Sequence, residues 1–97
     1  MNYFCYIIRC VDGTLYTGIT TNVQRRMDEH NGIKKGGAKY TKGRRPIVLE
    51  YYEGHNSRSE AQVREYQLKQ LTHAQKKLLC RSSNKLNHAS NAAILKK

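Results

Sequence analysis

Tyr3-Phe4-Cys5-Tyr6-Ile7-Ile8-Arg9-Cys10, Val11-Asp12-Gly13 and Thr14-Leu15-Tyr16-Thr17-Gly18-Ile19 read as a strand, a turn and a second strand. The first run is rich in aromatic and β-branched residues and apolar at both alternating positions, as a central strand covered on both sides should be. A turn signal followed by a second strand-like run makes a hairpin. Loop length then decides which side chains share a face, because a one-residue slip moves a whole strand's side chains across the sheet. With Gly13 in the left-handed third position of a three-residue loop, Cys10 pairs with Thr14, Ile8 with Tyr16 and Tyr6 with Gly18. Tyr6 and Tyr16 are then diagonal neighbours on one face, whereas a two-residue Asp12-Gly13 turn would separate them.

Downstream, Thr21 or Asn22 caps a helix, with Gln24 completing a capping-box pattern after Thr21. The helix runs to about His30 and is ended by Asn31-Gly32. Val23 and Met27 form its apolar stripe, and Arg26 and His30, one turn apart, share an adjoining face; Arg25 points elsewhere and is placed to pair with Glu29. Residues 32–45 hold four of the seven glycines and six cations, Lys34, Lys35, Lys39, Lys42, Arg44 and Arg45, with no acid, and read as a long surface loop. Pro46 opens a third strand, Ile47 to Glu53, closed by Gly54-His55-Asn56. Ser57 with Glu60 caps a helix from Ala61 to Leu71, and Thr72 with Gln75 caps a shorter one ending near Leu79 or Cys80. Residues 1–80 read as one domain. In the tail, 81–97, Leu86, Ala89 and Ala93 keep helical spacing, which fits either a weak helix or a frayed end.

At 97 residues the chain has enough surface to bury for one core only. Its 18 Lys and Arg against 7 acids give a net charge of +11, and no acid lies between Glu29 and Glu50 or after Glu65. That asymmetry points to a polyanionic partner. No apolar stretch approaches a membrane span, and Arg9 and Asp12 interrupt any signal-peptide pattern, so a cytoplasmic location and no membrane partner are expected. Three cysteines, an odd number, with Cys5 and Cys10 on opposite faces of a strand, read as reduced packing thiols. His55, His73 and His88 have no metal-ligand spacing with any cysteine, which argues against a zinc site. Walker, Gly-x-Ser-x-Gly and Cys-x-x-Cys patterns are absent.

Two residues carry chemical information of their own. Arg26 offers a planar fork matched to phosphate oxygens, with a charge that does not depend on pH. Glu65 falls on one helical stripe with Ala61 and Leu68, in line with core-facing positions. A carboxylate there needs a partner or a metal ion, unless it faces solvent and pairs with Lys69. Tyr6, Tyr16 and His30 taken singly fit packing or surface roles equally well.

Tyr6, Tyr16-Thr17-Gly18-Ile19-Thr20, Arg25-Arg26, His30, the basic segment Ala38 to Pro46 and Glu65 together resemble the GIY-YIG nuclease superfamily. Phe4-Cys5-Tyr6 and Tyr16-Thr17-Gly18 stand at its two name motifs. The resemblance extends from residue 3 to about 71, and is strongest to small stand-alone bacterial members and to the related domain of the Slx endonuclease. Phe4 and Cys5 depart from the Gly and Ile usual in the first motif.

The resemblance implies an α+β fold, a three-stranded antiparallel sheet flanked by helices, and phosphodiester hydrolysis. It makes Arg26 catalytic and Glu65 the sole protein ligand of one divalent ion, Mg²⁺ or Mn²⁺, which also meets substrate phosphate. One tyrosine, with Tyr6 favoured, is the general base or water-orienting group, and the other bonds the phosphate. His30 accepts a proton or positions a phosphate. Gly18 is the structural glycine of the second motif. The six loop cations would contact a nucleic-acid backbone, DNA first, by shape more than by sequence, with Tyr40 offering a ring for base stacking. Three functions follow: a metal-dependent, structure-selective endonuclease, a nucleic-acid-binding module with little turnover, and a nuclease subunit whose substrate is selected by a protein partner.

Overall fold

A computed structural model of the chain describes residues 2–81. The tail pattern of Leu86, Ala89 and Ala93, and His88 with it, lies outside the described residues. The fold is α+β: a three-stranded antiparallel sheet in the order β2-β1-β3, built from β1 (Tyr3–Arg9), β2 (Leu15–Thr20) and β3 (Val48–His55). Its helices are α1 (Val23–His30), α2 (Lys39–Lys42), α3 (Arg58–Lys69) and α4, described over residues 73–81.

The hairpin has the three-residue register. Cys10 N–H donates to the Thr14 carbonyl at 2.8 Å, and Ile8 faces Tyr16 while Tyr6 faces Gly18. Gly13 takes φ +86°, a conformation that costs an L-residue a steric clash and glycine almost nothing. Asp12 braces the turn by accepting from the Thr14 amide and hydroxyl.

β1 lies in the middle and is covered on both sides. On one face Tyr6, Ile8 and Cys10 pack with Val23 and Met27 of α1 and with Ile47. On the other, Cys5 packs with Ala61 and Leu68 of α3, and Ile7 with Tyr51 and with Cys80 of α4. The three thiols are buried and free. Helices α1 and α3 therefore sit on opposite faces of the sheet, and β2 is an edge strand.

Four local expectations change. The α1 cap is Asn22, whose side chain accepts from Arg25 N–H, so Thr21 and Gln24 do not form the box. The basic segment is not all loop: residues 39–42 make the single turn α2, followed by Gly43. β3 starts one residue later than expected and runs on through Gly54 and His55, because pairing with Phe4 and Tyr3 outweighs the weak strand preference of glycine. Ser57 does cap α3, but the Glu60 side chain reaches back to the Asn56 amide, whereas the box expected at Thr72 and Gln75 forms reciprocally. Among the described residues no helix is long and apolar enough to cross a membrane.

Candidate active site

A groove of about 600 Å³ runs over the β2 edge and collects side chains from both sides of the sheet. Tyr6 comes from β1, Tyr16 and Gly18 from β2, Arg25, Arg26 and Glu29 from α1, and Arg58, Gln62 and Glu65 from α3. Strand alternation and the hairpin register bring the two tyrosines to one face. The edge position of β2 lets α3 reach around to them.

Gly18 is the hinge of this arrangement. A Cβ built on it would overlap the Tyr6 hydroxyl and stand 2.6 Å from Tyr6 Cζ, so a glycine is what allows the phenol to lie across the neighbouring strand. The Tyr6 ring is buried, and a fixed chain of hydrogen bonds runs through its hydroxyl. Thr41 donates its one hydroxyl proton to the Ala38 carbonyl at 2.9 Å, so at 3.0 Å from His30 Nδ1 it must accept. His30 therefore carries its proton on Nδ1 and presents a lone pair on Nε2, to which Tyr6 donates at 2.8 Å. Arg26 Nε–H completes the chain by donating to the Tyr6 oxygen at 3.3 Å.

The electrostatics agree with these directions. Burial, with Arg26 nearby, pushes His30 down to about 4, which keeps the imidazole neutral and accepting. Burial pushes the Tyr6 phenol up to about 12, and Arg26 pulls only partly against it. His30 is fully buried behind Tyr6, with Tyr16 edge-on to it at 5.5 Å. It meets the groove through the tyrosines and does not line it. Tyr16 also stacks on Tyr40 at 5.4 Å, and the Arg44 guanidinium lies 4.1 Å from the Tyr40 ring centre. Among the described residues the Tyr16 hydroxyl has no hydrogen-bond partner.

Arg26 is held at two of its three nitrogens. Nε meets Tyr6, and Nη1 donates to Glu29 at 2.5 Å and to the Gly36 carbonyl at 2.8 Å. Nη2 makes no hydrogen bond among the described residues. Glu29 also pairs with Arg25 at 3.5 Å, so the acid that sequence spacing assigned to Arg25 belongs chiefly to Arg26. Hydrogen bonding from Arg26 holds the Glu29 carboxyl below its ordinary value.

Glu65 stands at the border between the buried stripe of α3, Ala61 and Leu68, and a polar stripe, Arg58 and Gln62, that faces the groove. Its carboxylate is about one-quarter exposed and pairs with Lys69 at 3.3 Å. Glu29, the groove's other carboxylate, is taken up by Arg25 and Arg26, so Glu65 is the one that fits the donor set of Mg²⁺, which takes one or two protein carboxylates together with substrate phosphates.

Of the six loop cations, none lines the groove. Lys34, Lys35, Lys39 and Lys42 are exposed. Arg44 is engaged with Asp12 at 3.1 Å and the Tyr40 carbonyl at 2.8 Å, and Arg45 Nε donates to the His30 carbonyl at 2.7 Å. Both arginines thus fasten the segment to the hairpin and to the end of α1.

Sequence spacing did not reveal a second cluster. Antiparallel pairing sets Cys5 opposite Glu53, and with His55 their ligand atoms fall within 4.8 Å of one another. Glu53 is already satisfied there by Tyr51 at 2.5 Å, His55 at 2.7 Å and Arg64 at 2.9 and 3.1 Å. Burial, reinforced by Glu53, raises the Cys5 thiol to about 11. Arg64 fills the place of a cation, and a thiolate is disfavoured, so the cluster reads as a buried polar anchor between β3 and α3.

The comparisons with known proteins identify the family. The family model of the GIY-YIG catalytic domain matches residues 2–78. A UPF0213 protein of Desulfotalea psychrophila is 54% identical over 83 residues, covering 86% of this chain and 74% of that one. A UPF0213 protein of Halobacterium salinarum is 57% identical over 74 residues, 76% of this chain and 94% of the relative. Two structures solved by NMR are similar. The UPF0213 protein of Bacillus halodurans has TM-score 0.51 at 44% identity, covering 81% of this chain and 82% of that one. A protein of E. faecalis has TM-score 0.58 at 35% identity, covering 87% and 88%. With its paired tyrosines, its glycine and the helix arginine gathered at one sheet edge, the chain belongs to the GIY-YIG family, whose catalytic domain is of nuclease type.

Proposed function

We propose that the protein is a divalent-metal-dependent endonuclease that hydrolyses phosphodiester bonds in DNA, selecting shape over sequence. The observation that carries this reading is the convergence of Tyr6, Tyr16, Arg26 and Glu65, from four separate elements, on one groove. Binding alone gives no reason for a carboxylate and a hydrogen-bonded phenol to meet there.

In this mechanism Glu65 holds the one Mg²⁺ or Mn²⁺ ion, which supplies Lewis-acid stabilisation of the phosphate and a more acidic bound water. Arg26 directs Nη2 at a non-bridging phosphate oxygen, where its charge offsets the negative charge that builds up in the transition state. The Tyr16 hydroxyl donates to the same phosphate. Tyr6, fixed by its donation to His30 Nε2 and by the Arg26 Nε–H, accepts a hydrogen bond from the attacking water and orients it, and the water's proton leaves to solvent. The water oxygen forms the new bond to phosphorus, the scissile P–O bond breaks, and the leaving oxygen is protonated from solvent. Burial opposes both a phenolate and an imidazolium, so Tyr6 stays protonated and His30 neutral, and the pair acts by orienting the water. The exposed loop lysines add sequence-independent affinity.

The test is cleavage of labelled single-stranded, duplex, flap and four-way DNA and of matching RNA, with Mg²⁺ or Mn²⁺, by wild type and Glu65→Gln prepared identically. Cutting that is lost in Glu65→Gln while binding persists supports the reading. Binding without cutting by either protein points to the binding module, and cutting only when a second protein is added points to the partner-activated subunit.

A further inference from the structure

The groove continues past the catalytic residues. Beyond Glu65 it is lined by Gln62 and Arg58, at i−3 and i−7 on α3, and by Thr20, Thr21 and Arg25 on the side of α1. Three arginines line it, and their states differ. Arg26 and Arg25 share Glu29, and Arg25 also donates to Thr21 at 3.2 Å. Arg58 has no hydrogen bond or ion pair among the described residues. It is an unpaired, pH-independent cation in a groove whose two carboxylates, Glu29 and Glu65, are both occupied by other cations. Gln62, one turn on, adds an amide that both donates and accepts.

We infer that Arg58 and Gln62, with Arg25 facing them across the β2 edge, form a second phosphate subsite. It holds a phosphodiester of the same nucleic-acid strand next to the one at Arg26. The strand thus lies along the groove over β2. This rests on the nuclease reading only in taking a nucleic-acid strand as the occupant. Because the subsite touches a phosphate that does not react, it binds ground state and transition state alike and acts on KM, leaving kcat unchanged.

The experiment measures binding of a fluorescent 12-nucleotide single-stranded DNA to the Glu65→Gln protein across a salt series. Arg58→Ala, Arg58→Lys and Lys77→Ala are each added to that background. Lys77 lies at a different cavity, with Arg9 and Glu50, and controls for the loss of one charge. Arg58→Ala is expected to weaken binding roughly tenfold at low salt and to lower the slope of log K against log salt by about 0.7, one single-strand phosphate contact. Arg58→Lys keeps most of the slope, and Lys77→Ala leaves it unchanged. In otherwise wild-type protein, Arg58→Ala raises KM with kcat retained.

Equal effects of Arg58→Ala and Lys77→Ala, or no binding to remove, overturn the subsite. If wild type cuts nothing but Arg58→Ala loses affinity and slope as stated, the subsite stands and the hydrolysis reading falls. If wild type cuts and Arg58→Ala binds as Lys77→Ala does, the reverse holds.

Discussion

The Tyr6 phenol lies directly over the Cα of Gly18 on the neighbouring strand, with no room for a Cβ between them. The second glycine of the hairpin is thus a condition on the reach of the tyrosine, since any side chain there pushes the phenol off Arg26 and His30. Gly18→Ala is expected to lower cleavage about 100-fold, the scale for displacing a catalytic group by ~1 Å. It should also reduce stability by about 1–3 kcal/mol through overpacking. Single-turnover rates and denaturant melts check both. Full activity in Gly18→Ala would mean that the position of Tyr6 does not matter.

His30 gives the fold an acid limit. Its pKa is about 4 in the folded protein, against 6.5 for an unburied histidine, because burial and Arg26 disfavour the imidazolium. Between these values the unfolded chain takes up a proton that the native state refuses. Stability is therefore complete above pH 6.5 and falls as the pH drops towards 4, by up to roughly 2–3 kcal/mol. His30→Gln, which can still accept from Tyr6, should flatten the dependence in that window. Urea midpoints at pH 7.5, 6, 5 and 4.5 measure it, and an unchanged slope in the variant would move the titration to another group.

The hairpin register was legible because Asp12-Gly13 and strict alternation leave one pairing that puts both tyrosines on one face. The central place of β1 was legible because it is apolar on both faces. The caps of α3 and α4 were readable from Ser57 and Thr72. What local pattern could not carry was long-range pairing. Arg44 with Asp12, Arg45 with the His30 carbonyl and Glu53 opposite Cys5 are fixed by tertiary folding across tens of residues. The turn α2 has four residues and an Ala38 cap that offers no side-chain bond, too little signal for any periodicity. Glu65 was visible as an acid on an apolar stripe. That the same helix also lines the groove with Arg58 and Gln62 depends on its lying beside an edge strand.

The basic segment divides into fasteners and free cations. Arg45 satisfies the last carbonyl of α1, and Arg45→Ala should cost about 1–2 kcal/mol of stability by leaving that acceptor without its partner. Lys34→Ala, Lys35→Ala, Lys39→Ala and Lys42→Ala should leave thermal stability within about 0.5 kcal/mol. Each should weaken DNA binding with a shallower salt dependence. Melting curves and anisotropy titrations on the same samples separate the two groups. Loss of stability in the lysine variants, or none in Arg45→Ala, would reverse the assignment.

Glu53 is the acid on which α3 is seated. Burial alone would raise its pKa, but hydrogen bonds from Tyr51, Arg64 and His55 hold it below the ordinary carboxylate value. Its charge therefore contributes stability that is present above the carboxylate's unfolded pKa and lost as the pH falls through the lower folded one. Glu53→Gln removes the charge that Arg64 faces while keeping the shape. Because Arg64 is partly open to solvent, the cost should be about 1–3 kcal/mol, at the low end for breaking a sheltered ion pair. Arg64 immediately precedes Glu65 on α3, so loosening this anchor should also slow cleavage, whereas a double variant, Glu53→Gln with Arg64→Met, should recover stability by removing the unpaired cation. Denaturant midpoints of the two single variants and the double variant give the coupling energy directly. A coupling near zero would show that the Glu53–Arg64 pair does not help to hold α3.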